Sequence, residues 1–199
     1  QFVMAKGAAT DPTFSMTDGL IRNSTTGEKN DDPDFPHTQD KGGAVYLEAG
    51  TFTMTGGEIR NCSSDAGGAI YIKGQGNTRF TMSGGKISEC ISNTSGGAVH
   101  LENGSVYLNG GEISNNLAKN GNGGGLCILG GNLYMHGTSN TFTTIKNNAA
   151  FRGKGGGLYV TSTGEDVAIN ILNGHIKANS SEKVGGGVCI DMEGNSKTA

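Results

Sequence analysis

The chain has 199 residues, 36 of them glycine, and 15 lysines and arginines stand against 18 aspartates and glutamates for a net charge of −3. That balance offers no basic face to nucleic acid, and no apolar run approaches the roughly 18 residues of a membrane helix, so neither partner is expected. Without an every-third-residue spacing, and with only three prolines, the glycines do not encode a collagen-like chain.

Phe2-Val3-Met4 reads as a short strand, and Phe14 and Met16 then alternate with polar neighbours before Ile21, the pattern of two further strands. Residues 24–41 break the pattern with an acidic insertion. Its Asp31, Asp32, Asp34 and Asp40 bring hard oxygen ligands close enough together to hold a calcium ion. The spacing lacks the EF-hand order and the calcium-roll repeat, and a solvated acidic loop is the competing reading.

A glycine doublet or triplet followed by an apolar strand then recurs six times. It begins at Gly42, Gly67, Gly96, Gly123, Gly155 and Gly185, at intervals of 25 to 32 residues. Self-similarity at this period marks a solenoid, in which only stacked neighbours bury each unit's apolar face. Within a unit, Leu47 to Asn61 alternates apolar and polar residues with period two and is punctuated by glycine, so the unit is strand, turn and strand rather than helix.

Aligned units give three apolar columns, represented by Val45/Leu47, Phe52/Met54 and Ile59. Each buried side chain contributes roughly 1.5 to 3 kcal/mol, too little for one coil to order itself, so a stack must share one core. The expected fold is all-β: a right-handed, single-stranded parallel β-helix of about seven coils with three short strands per coil. It forms one domain over 1–199, a rod on the order of 34 Å long at ~4.8 Å per coil. Absent caps and a last coil that stops after its first strand suggest a mature chain or a fragment of a longer one.

Three residues after each third-strand isoleucine stand Ser24, Cys62, Cys90, Asn116, Asn148 and Asn179. The asparagines of this column are expected to bond from coil to coil, and Cys62 and Cys90 stack closely enough for a disulfide that the fold does not require. Cys127 and Cys189 fall two coils apart, too far to join.

Alternation places Tyr46, Tyr71, His100, Cys127, Tyr159 and Cys189 on the outside of the first strand, with Tyr107 and Tyr134 forming a second, shorter stripe. Exposed rings in a row would stack on sugars or on a partner protein, while cross-strand stacking is the structural alternative. The threonine row of Thr51, Thr53 and Thr55 is not preserved in later units, which weakens an ice-binding reading. Asp11, Asp18, Asp65, Asp166 and Asp191 scatter over different turns, and His100, His136 and His175 lie on three different strands. No catalytic site and no cofactor beyond the possible calcium ion are therefore expected, and the chain reads as non-enzymatic.

The units resemble the glycine-rich parallel β-helix repeats of bacterial surface proteins, among them the Gly-Gly-Ala-Ile element of chlamydial polymorphic outer-membrane proteins. That element stands at Gly67-Gly68-Ala69-Ile70, and as Gly-Gly-Ala-Val at Gly42 and Gly96. The resemblance implies a secreted or surface-displayed module of an adhesin or a large repeat protein. The expected function is adhesion, ligand presentation or spacing at the cell surface or outside the cell, with a glycan or a host or cell-surface protein as partner. The alternatives are a fibre subunit that self-associates end to end and a polysaccharide lyase or hydrolase.

Overall fold

The computed structural model describes residues 2–4, 11–25, 40–164 and 166–192, and contains no helix among them. The chain is an all-β parallel solenoid of about five turns built on three sheets. Seven strands form the first sheet: Phe2–Met4, Val45–Leu47, Ile70–Lys73, Val99–Asn103, Leu126–Ile128, Leu158–Val160 and Val188–Ile190. All pair in parallel, with equivalent residues of successive units opposite one another, as Val45↔Ile70 and Val99↔Leu126 show.

The second and third predicted strands share one sheet of ten strands. In two turns they run together as the unbroken strands Arg79–Ser88 and Ser105–Ser114. The third sheet was not anticipated: its five strands, from Ser63–Ser64 to Ser180–Ser181, are two residues each. Two residues carry too little alternation to register as a strand in the sequence.

The inward columns form one dry core. Val45, Leu47, Phe52, Met54 and Ile59 are fully buried, as are Val99, Leu101, Val106, Leu108 and Ile113 two turns on. Exact register turns like residues into ladders, and the rings of Phe14, Phe52 and Phe80 stack at 5.1 Å intervals.

The two corner glycines of each unit serve different ends. The first lies in the left-handed region, with Gly96 at φ 70°, where a side chain is disfavoured. The second is required by a close approach, because a Cβ on Gly97 would stand 2.7 Å from the backbone nitrogen of Leu117 on the next turn.

The column after the third strand carries a polar ladder. The Asn148 carboxamide oxygen accepts from the Asn116 backbone N–H at 3.0 Å and from Asn116 Nδ2 at 2.9 Å. Asn179 serves Asn148 in the same way, and Asn116 Oδ1 accepts from the Cys90 N–H at 3.0 Å. Cys62 and Cys90 are buried free thiols that donate to the Arg60 and Ser88 carbonyls.

The residue just before each ladder position has positive φ: Asn23, Asn61, Glu89, Asn115, Asn147 and Ala178, all between 52° and 56°. Asparagine adopts this bend at lower cost than glutamate. Glu89→Asn should therefore stabilise the protein by about 0.5 to 1 kcal/mol, read as a higher urea midpoint at unchanged slope. An unchanged or lower midpoint would refute that account of the bend.

Candidate functional site

The outward side chains of the first sheet form the floor of a groove. Parallel register brings Tyr46, Tyr71 and His100 directly over one another. Tyr46 and Tyr71 stack at 5.7 Å with 7° between their planes, and Tyr71 and His100 at 4.9 Å with 8°. The alternative of cross-strand stacking is what the rings of Tyr46, Tyr71 and His100 adopt, so the faces that meet are spent on one another, while Tyr159 is buried without a ring partner among the described residues. Tyr71 is 1 % exposed, His100 6 % and Tyr159 7 %, while Tyr46, Tyr107 and Tyr134 are half-buried. Tyr107 and Tyr134 likewise stack on each other, at 4.7 Å. The physical reason is the coil rise, which spaces in-register rings at stacking distance.

Charged straps complete the burial. Lys41, just before the first glycine doublet, crosses the floor to Glu102 two turns away at 3.5 Å, with its Nζ 4.6 Å from the Tyr71 ring centre. Lys73 meets the same carboxylate at 3.1 Å. Farther along, Lys154 pairs with Asp191, whose carboxylate also accepts from the Tyr159 hydroxyl at 3.4 Å. The sequence reading did not single out Lys41, Glu102 or Lys154. Their only signal is position, one residue before a glycine cluster or one after the strand core, and 61 residues separate Lys41 from Glu102.

Between strap and floor lies a groove of about 390 Å³ lined by Lys41, Asp65, Tyr71, Thr94, His100, Glu102 and Leu129. It adjoins a hollow of about 500 Å³ that shares Glu102 and Leu129, which in turn adjoins one of about 670 Å³ that shares Lys73. Burial and the neighbouring Glu102 carboxylate push the Tyr71 phenol up, so it stays protonated. Burial raises Glu102 as well, but the Tyr71 hydroxyl and the two lysines outweigh it and hold the carboxyl below its usual range.

The His100 Nδ1 lies 3.3 Å from the Ser95 carbonyl. A carbonyl only accepts, so Nδ1 carries the proton and Nε2 is a bare acceptor in the neutral ring. Burial pushes the imidazole down to about 4. An unfolded histidine titrates near 6.5, so acid favours the unfolded chain: the stability from a neutral His100 is whole above about pH 6.5 and falls away as the pH drops toward 4. Between neutral pH and about pH 4.5 the wild type should lose about 2 to 3 kcal/mol more than His100→Phe in urea titrations. Parallel losses in the two proteins would show that His100 is not the acid-sensitive group.

The remaining candidates divide by what is described. Asp31, Asp32 and Asp34 lie outside the described residues. The Asp40 carbonyl accepts from the Asp65 N–H at 2.8 Å, so its backbone already belongs to a coil. Among the described residues no three histidine, cysteine, aspartate or glutamate side chains gather as a metal site. Cys127 is buried on the groove floor, and burial pushes its thiol up to about 12.

No family model matches the chain, and neither a curated protein nor a solved structure matches it.

Proposed function

We propose that this chain is a non-enzymatic, extracellular or cell-surface β-helix module that presents the groove over its first sheet to a ligand, in adhesion or ligand display. We take its winding as right-handed, in keeping with parallel crossovers generally, with about seven coils of three principal strands, the count supported by the seven-stranded sheet. The observation that carries the reading is the groove: a concavity with convergent polar groups, Lys41, Asp65, Tyr71, Thr94, His100 and Glu102, over the first sheet. Binding is favoured over chemistry at this groove because its two carboxylates are already engaged: Glu102 is held by two lysines and Asp65 accepts from Asn93 Nδ2 at 2.9 Å. The placement outside the cell rests on the resemblance of the glycine-cornered repeat to those of bacterial surface proteins.

The test is an array of immobilised glycans and extracellular-matrix proteins, probed with the wild type and with Leu129→Arg, whose long side chain fills the groove. Retention of the wild type on at least one ligand class and its loss in the variant, at unchanged circular dichroism, is the expected result. A wild type that is retained nowhere, or a variant that binds equally well, would overturn the reading.

A further inference from the structure

We propose that the groove takes a neutral polysaccharide, laid along the solenoid axis and recognised through its hydroxyl groups rather than through its ring faces. The inference rests on the groove being the module's binding site and adds the ligand's chemistry.

The first argument is the orientation of the aromatic floor. Sugar binding by stacking needs an open ring face, and here Tyr71 is covered on both faces by Tyr46 and His100, whose outer sides meet the in-register Val3 and Cys127. What reaches the groove is ring edge, which favours hydrogen bonds in the plane of the imidazole. His100 supplies one. The ring is 6 % exposed and lines the groove, and its Nδ1–H is used by the Ser95 carbonyl, which leaves Nε2 as the acceptor of the neutral ring. An acceptor on a residue that lines a concavity is open to a donor that a ligand brings.

The second argument is charge. The walls place Lys41 and Lys73 against Glu102 and Asp65, two cations and two carboxylates, and both lysines are already paired with Glu102. A polyanion would have to break those pairs and then face the Asp65 carboxylate. A hydroxyl both donates and accepts, so a polyol answers carboxylate, ammonium and imidazole in turn without a net charge of its own.

The third argument excludes a peptide. An extended peptide gains affinity by adding to a sheet edge or by seating apolar side chains in pockets. The groove runs over the face of a sheet whose strands here are paired on both sides, and Leu129 is its one large aliphatic wall.

Affinity electrophoresis of the whole chain in gels cast with a soluble neutral glucan or mannan, or with a polyuronate, tests the proposal. Retardation by a neutral polymer and not by the polyuronate is expected. His100→Phe keeps a flat ring in the stack and should weaken binding about tenfold, the worth of one good hydrogen bond. His100→Gln, which returns an acceptor, should stay within about threefold of wild type. If the phenylalanine variant does not fold, the exposed Lys73→Met should still show at least about a threefold loss. Retardation by the polyuronate alone, or binding to an immobilised peptide library alone, would overturn the ligand class. The groove reading would survive that outcome if Leu129→Arg abolished the binding, and would fall with the class if it did not. Equal affinity of wild type and His100→Phe, or no retardation by any polymer, would also overturn the proposal.

Discussion

Gly97→Ala should destabilise the protein by about 3 kcal/mol or more, a large effect for a single added methyl. The backbone at Gly97 does not lie in the left-handed region, so the cost is purely one of space. A methyl there would overlap the Gly124 carbonyl oxygen and stand 2.7 Å from both the backbone nitrogen and the carbonyl carbon of Leu117. All three atoms are main chain, and the turns that carry them are tied together: the Gly97 N–H donates to Gly123 O and the Leu117 N–H to Cys90 O. No flexible side chain can yield, so two turns must separate. Gly76→Ala is the control. Gly76 has φ 62° and nothing within 4 Å of the added methyl, so it should cost only the left-handed penalty of about 1 to 2 kcal/mol. Urea midpoints separate the two cases, and a Gly97→Ala protein as stable as Gly76→Ala would refute the close-approach account.

Asn148→Leu should cost about 3 to 5 kcal/mol although it keeps the side chain's volume nearly constant. Asn148 is fully buried. Its oxygen satisfies the N–H and Nδ2 of Asn116, and its own Nδ2 donates to the Ile113 carbonyl at 3.0 Å and to Asn179 Oδ1 at 3.0 Å. Leucine strands the Asn116 N–H and the Ile113 carbonyl away from water, and each orphaned group carries its own desolvation penalty. Asn148→Asp sharpens the test. It keeps the acceptor but places a carboxylate against the Ile113 and Asn179 oxygens, which raises its native pKa above the unfolded value. Protonation restores a donor, so this variant should regain stability relative to wild type as the pH falls through that raised pKa. A leucine variant within about 1 kcal/mol of wild type would reduce the ladder to decoration.

The ladder and the core were legible in advance because both are periodic. Val45, Phe52 and Ile59 recur in aligned units, and stacking is the one arrangement that buries all of their counterparts. Asn116, Asn148 and Asn179 share a fixed offset from the third-strand isoleucines, and that offset sets the register of their bonds. The groove was less legible. Alternation assigns Tyr71, His100 and Tyr159 to the outer side of their strands, but it carries no information about what lies over them. Lys41 and Lys154 precede glycine corners while Glu102 and Asp191 follow strand cores on other turns, and a strap between turns leaves no local pattern.

By itself, the sequence determined which side chains face the interior, where the corners fall and which polar column binds turn to turn, because a solenoid repeats one local rule at every rise. Only the tertiary structure decided that the outward rings spend their faces on one another, that lysine–carboxylate pairs close over them, and that a two-residue strand completes each turn. Those features depend on distances between turns, and a spacing of about 4.8 Å becomes a stack, a strap or a groove according to what the neighbouring turns hold.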